Sequence, residues 1–170
     1  MIAYDLQVER RREPVGIDRE SPRLSWKLRA TGRAGSAGRG ARQTAFQVLV
    51  ASDPALLVPG SADLWDSGRV ESSAQEGISY GGPTLSFGEY HWSVRVWDAE
   101  DQPSAWSSSS RWITAVVDRA DWKESWIAHP EGTLRSGPMP IFRTAFDLDR
   151  PVRRAIAIVA GLGFHELRVN

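Results

Sequence analysis

An all-β sandwich is the fold class this sequence predicts, and three observations predict it. Apolar and polar residues alternate with a period of two, clusters of Gly, Pro, Ser and Asp interrupt the alternation, and only one short stretch carries a helix start signal. A strand turns successive side chains to opposite faces, so each alternating run can seal one face of a sheet against a core. Short strands, regular turns and almost no helix together describe a sandwich.

The elements follow in chain order. Pro14, Gly16 and Pro22 mark a turn-rich opening. In Arg23–Arg29, Leu24, Trp26 and Leu28 share one face, while Arg23, Ser25, Lys27 and Arg29 share the other. Residues 31–40 carry Gly32, Gly35, Gly38 and Gly40 among Ser and Arg, the composition of a mobile loop. Over residues 44–50, Phe46, Val48 and Val50 point one way and Ala45, Gln47 and Leu49 the other. Asp53-Pro54-Ala55-Leu56-Leu57 predicts about one helical turn, with Asp53 as cap and Pro54 at the first position. After the breaker Gly81-Gly82-Pro83, Tyr90, Trp92, Val94 and Val96 alternate with His91, Ser93, Arg95 and Trp97. Asp98 to Pro103 break the chain again. Leu85, a turn, then Tyr90 opening a Trp-x-Val-x-Val run resembles the tyrosine corner of fibronectin type III domains, in which the Tyr hydroxyl bonds backbone across the sheet-to-sheet connection.

This predicts a first domain over residues 1–117 and a connector over 118–140, rich in Gly and Pro toward its end. Alternation returns at Phe142, Phe146 and Leu148, in Ile156-Ala157-Ile158-Val159-Ala160, and from Gly163 to Val169. Residues 141–170 read as the start of a second β-sandwich domain. Three strands cannot bury a two-sheet core and leave edges unpaired, so the sequence reads as a truncated piece of a longer polypeptide.

Bulk properties narrow the function. Hydrophobic residues make up 41% and charged residues 25% of the 170, an ordinary globular balance. Twenty-one basic residues match twenty-one acidic ones, so neither nucleic acid nor membrane is the expected partner. Only Lys27 and Lys123 are lysines, a bias read as codon usage. The absence of cysteine excludes disulfides and thiolate metal sites. The N-terminus shows no leader signature, and no apolar run approaches bilayer length, which makes the cytoplasm the expected location. Eight tryptophans raise the possibility of sugar stacking, although packing into a sandwich core accounts for Trp more readily.

A search for chemistry assigns no catalytic, cofactor or metal site. Glycoside hydrolysis needs two carboxylates facing one another across the sugar. The acidic clusters Asp18 with Glu20, and Asp98 with Glu100 and Asp101, sit in predicted turns, where solvated acids are ordinary. The second cluster lacks the periodic ligands of a calcium loop. His91, His129 and His165 are dispersed, with no ligand spacing, and His91 alternates onto the outward face. The glycines between 32 and 40 precede no Lys-Ser or Lys-Thr pair, and Arg33, Arg39 and Arg42 are a weak nucleic-acid signal. Ser107 to Ser110 form no nucleophile elbow. Trp106 and Ser107 with Arg111 and Trp112 superficially resemble a tryptophan–arginine ladder, read here as strand packing.

Seven strings, in order, resemble the opening of bacterial α-L-rhamnosidases of glycoside hydrolase family 78. They are Glu13-Pro14-Val15-Gly16-Ile17-Asp18 with Ser21-Pro22-Arg23-Leu24-Ser25-Trp26; Arg42-Gln43-Thr44-Ala45-Phe46-Gln47-Val48-Leu49-Val50-Ala51; Leu64-Trp65-Asp66-Ser67-Gly68-Arg69-Val70; Tyr90-His91-Trp92-Ser93-Val94-Arg95-Val96-Trp97-Asp98; Pro103-Ser104-Ala105-Trp106-Ser107; Asp121-Trp122-Lys123-Glu124-Ser125-Trp126-Ile127; and Gly161-Leu162-Gly163-Phe164-His165-Glu166-Leu167-Arg168-Val169-Asn170. The loop over residues 31–40 looks longer than the family's. The resemblance implies a fibronectin type III-like (immunoglobulin-like) sandwich, then the start of a second β-sandwich domain. It also implies a later (α/α) barrel that cleaves terminal L-rhamnose from glycosides with inversion, none of whose acids can be carried onto this chain. The expected role is a non-catalytic structural and docking part, inactive alone and without cofactor. Its partners would be the barrel and other β domains of the same polypeptide, with Trp97, Trp122 and Trp126 as exposed interface candidates. The alternative is a stand-alone carbohydrate-binding module with a rhamnoside ligand.

Overall fold

A computed structural model describes residues 1–30, 42–122, 125–129, 140–152 and 154–169. The chain divides into two units, Met1–Asp121 and Trp122–Asn170.

The first unit is a two-sheet sandwich. One sheet has three strands in the order β1 (Ile2–Val8), β3 (Arg23–Arg29), β7 (Ile78–Ser79). The other runs β2 (Val15–Ile17), β9 (Ser110–Thr114), β8 (Glu89–Trp97), β4 (Ala45–Ala51), β5 (Trp65–Asp66), with β6 (Val70–Glu71) also on β4. Every pairing is antiparallel except β2 with β9. The expected alternation fills the core: Leu24 and Trp26 from one sheet meet Phe46, Val48, Val50, Trp92, Val94, Val96 and Trp112 from the other. Trp26 meets Phe46 edge-on, with centroids 5.2 Å apart. β4 pairs on both sides, and its outward residues Ala45, Gln47, Leu49 and Ala51 are buried as well.

The N-terminal strand was not foreseen, because its inward residues Ala3, Leu6 and Val8 break the period of two. The register explains the break: Tyr4 pairs with Lys27 and Gln7 with Ser25, so Asp5 and Leu6 together oppose Trp26. This is a β-bulge, with Asp5 at φ +53°, and it moves the inward set from odd to even positions. A tight turn follows. Val8 and Arg11 exchange backbone bonds of 2.9 and 3.0 Å across Glu9 and Arg10, both at positive φ. Such a turn favours Gly or Asn. Here the Glu9 carboxylate holds it, accepting the Arg23 backbone N–H at 2.7 Å and the Arg23 guanidinium at 2.7 Å.

Both local expectations of turn chemistry hold. Pro54–Leu56 is a single 3-10 turn, and the Asp53 carboxylate accepts the Ala55 N–H at 2.8 Å. The Tyr90 hydroxyl donates to Ser86 O at 2.9 Å, closing the tyrosine corner. At Gly82 an added Cβ would collide with the Tyr80 hydroxyl and Leu64 O, so that close approach requires glycine.

A 3-10 turn, Arg119–Asp121, ends the first unit. In the second, the alternating runs at 142–148, 156–160 and 163–169 form no hydrogen-bonded strand among the described residues, and Phe142, Phe146, Leu162 and Phe164 are exposed.

Candidate functional site

The outward face of the β4–β8 sheet carries a continuous arrangement of arginines and tryptophans. Arg95 and Trp97 lie two apart on β8, hence on one face. The Arg95 guanidinium sits 4.8 Å from the Trp97 ring centroid and 5.0 Å from that of Trp106, and Arg69 covers Trp97 at 5.0 Å. The order is Arg69, Trp97, Arg95, Trp106, a ladder of alternating cations and rings. The ladder does not involve Arg111 and Trp112. Trp112 alternates inward and is fully buried in the core, while Arg111 points outward to Glu13 and Glu89 at 3.1 and 2.9 Å. Trp97, expected as an exposed interface residue, is only 7% exposed because the two guanidiniums cover it. Trp122 and Trp126, in the second unit, are exposed.

Polar partners anchor each rung. Arg95 donates to Gln47 Oε1 at 2.8 and 3.0 Å, and Gln47 donates to Asp66 at 2.6 Å. Arg69 pairs with Glu71 at 2.6 Å and with Asp101. Trp106 is delivered by the segment Pro103-Ser104-Ala105-Trp106-Ser107, which docks along β8 without being a strand. Ser104 N donates to Val96 O and Ser107 N to Val94 O, and each Ser hydroxyl accepts the N–H of the same valine. The Ser-x-x-Ser spacing thus completes the free edge of β8 beyond the end of β9. Ser107 is a structural hydrogen-bonding residue.

Of the two acidic clusters, the second is committed to structure through Asp98 and Asp101. Asp18 and Glu20 are exposed. The Asp98 carboxylate accepts the N–H groups of Glu100 and Gln102 at 3.1 and 2.9 Å, and the Arg69 hydrogen bond holds the Asp101 carboxyl below its ordinary pKa. His91 is half-buried, 3.8 Å from Glu89, and desolvation lowers its pKa. His165 is exposed, its Nδ1 3.3 Å from Gly163 O. Among the described residues no group of three His, Cys, Asp or Glu side chains could hold a metal ion. Nor is any helix among them long and apolar enough to cross a membrane. Residues 31–40, with Arg33 and Arg39, lie outside the described residues.

Two features escaped the sequence reading. Arg95 and Trp97 at alternate outward positions were a legible signal for a cation on a ring, whereas Arg69 arrives through a long-range turn. The second is Gln43, which is 1% exposed. It accepts Trp26 Nε1–H at 3.0 Å and donates to Ser72 O and Ala74 O at 3.1 and 2.8 Å, cross-bracing three segments. Trp26, Trp92, Trp97 and Trp112 are all buried, so half of the eight tryptophans serve packing.

The profile of the family described as Rha78A-like, N-terminal immunoglobulin domain matches residues 3–118. An α-L-rhamnosidase from Streptomyces avermitilis is 43% identical over 124 residues, covering 72% of this chain and 11% of the relative. One from Formosa agariphila is 32% identical over 179 residues, covering 92% of this chain and 18% of the relative. Among solved structures, an α-L-rhamnosidase from Dictyoglumus thermophilum superposes with a TM-score of 0.67 at 36% identity, over 77% of this chain and 14% of that one. The S. avermitilis α-L-rhamnosidase complexed with L-rhamnose gives 0.66 at 40% identity, over 76% and 12%. The chain thus spans less than a fifth of the relatives it matches.

Proposed function

The chain belongs to the Rha78A-like N-terminal immunoglobulin domain family, and from that membership we propose that it is the non-catalytic structural and docking part of an α-L-rhamnosidase that releases terminal L-rhamnose from glycosides. The observation that carries this reading is one of proportion: the chain corresponds to 11–18% of the α-L-rhamnosidases it matches. Its own acids support it, since Asp98 and Asp101 are committed to a turn and an ion pair. The partners in this reading are a catalytic (α/α) barrel and further β domains of the same polypeptide. The cation–π ladder and the Gln43 brace tie distant segments of the sandwich together, which supports its reading as a body against which such domains pack.

The test compares a parent polypeptide with and without residues 1–117. Loss of thermal stability, of hydrolysis of a chromogenic α-L-rhamnoside, or of both on deletion is the expected result. An unchanged melting temperature and unchanged turnover would refute the docking role. Rhamnoside hydrolysis by the 170-residue chain alone would refute the non-catalytic assignment.

A further inference from the structure

A groove of about 720 Å³ runs along the first unit between β1 and the start of β9. Its lining combines β1 from Ile2 to Leu6 with Arg12, with Arg29 from the end of β3, and with Ser108, Ser109 and Ser110. We propose that this groove is a binding site for an acidic oligosaccharide, with its carboxylates on the Arg12 and Arg29 guanidiniums and its hydroxyls on the three serines.

Charge accounting favours an anion. Both carboxylates of the groove are already matched, Asp5 by Arg12 Nε and by Lys27 at 2.8 Å, and Glu13 by Arg111 at 3.1 Å. The terminal nitrogens of Arg12, a side chain 75% exposed, are left over. Arg29 meets no carboxylate among the described residues and lies over the Tyr4 ring, 4.4 Å from its centroid. That stacking fixes the planar guanidinium without using its hydrogen bonds, which leaves a pre-oriented fork for a carboxylate. Shape favours a chain over a single ion: five residues of β1 line the groove, roughly 14 Å at strand rise. An extended acidic peptide fits less well. It would add itself to the edge of β1 through a continuous row of backbone bonds, and the bulge at Asp5, with φ +53°, interrupts that row. Serine hydroxyls and guanidiniums lining one groove suit a polyhydroxylated anion instead.

The isotope-labelled 170-residue chain, titrated with tri-D-galacturonate and followed by amide chemical shifts, tests the proposal. Saturable shifts at Tyr4, Arg29 and Ser109 at millimolar ligand, weakened by added salt, are expected. Arg29→Gln, an exposed change at the end of β3, should weaken binding roughly tenfold, about 1.4 kcal/mol. Ser109→Ala, in an exposed loop, should weaken it by a smaller factor. The site assignment is overturned by absence of saturation, by shifts confined elsewhere, or by unchanged affinity in both variants. Equal binding of maltotriose overturns the role of charge. Equal binding of inorganic phosphate or of a triglutamate peptide overturns the saccharide class.

Discussion

Replacing Gln43 with methionine removes every polar atom of its side chain at nearly constant volume, so the change reads hydrogen bonding rather than a cavity. Three bonds disappear, to Trp26 Nε1, Ser72 O and Ala74 O. The Trp26 donor is left orphaned in a site where Trp26 is 3% and Gln43 1% exposed. A stranded buried donor costs roughly 1–3 kcal/mol. Ala74 is exposed and Ser72 half-buried, so their carbonyls recover water and lose roughly 0.5 kcal/mol each. The sum is about 3 kcal/mol, a substantial part of the roughly 5–15 kcal/mol that holds a domain folded. At about 4 °C per kcal/mol for a unit of this size, Gln43→Met should melt about 12 °C lower. Gln43→Glu supplies a control with a pH signature. It keeps the acceptor for Trp26 but sets a carboxylate oxygen against two carbonyls, which raises the folded-state pKa of the new acid. Protonation is then favoured in the folded state, so the deficit of Q43E should shrink as pH falls from 7 toward 5. Urea denaturation followed by tryptophan fluorescence measures both. A Q43M variant within about 1 kcal/mol of the parent chain, or a Q43E deficit flat with pH, would refute the bracing role.

Three further outcomes follow from single contacts. Tyr90→Phe should cost about 1 kcal/mol and no more, because Ser86 O keeps its 2.7 Å bond from the Thr114 hydroxyl; thermal denaturation of Y90F and of the Y90F/T114V pair separates the two bonds. Arg95→Met should cost about 2 kcal/mol through two lost ring contacts and the Gln47 bonds, and iodide quenching should report a more accessible Trp106. Arg12, first, and Lys27 hold the buried Asp5 carboxyl well below the usual carboxylate range. A depressed folded-state pKa gives stability that is complete above the unfolded value of about 3.9 and lost as pH falls through the folded one. The stability gap between the parent chain and Asp5→Asn should therefore be constant above about pH 4 and narrow below it, as acid titrations of both would record.

The sandwich was legible because its signals are local. Period-two alternation in β3, β4 and β8, the Asp53-Pro54 cap and the Tyr90 corner each depend on residues within a few positions of one another, and each took the form its spacing dictates. β1 escaped because one extra residue in the strand reverses which positions face inward, and only the register against β3 exposes that reversal. The ladder of Arg69, Trp97, Arg95 and Trp106 was passed over as strand packing for a similar reason. Trp106 and Arg111 are near in sequence, but they stand on opposite sides of the point where the chain changes from docking on β8 through serines to pairing as β9. Trp97, outward by alternation, is buried because Arg69 reaches it from a distant turn. The sequence by itself therefore determined fold class, the core-facing residues of the main strands and the family. Tertiary structure alone decided which outward side chains are covered, which arginines stack on which rings, and that β1 and Ser108 to Ser110 line one groove. The physical reason is that alternation specifies a face, whereas what lies above that face is set by segments tens of residues away.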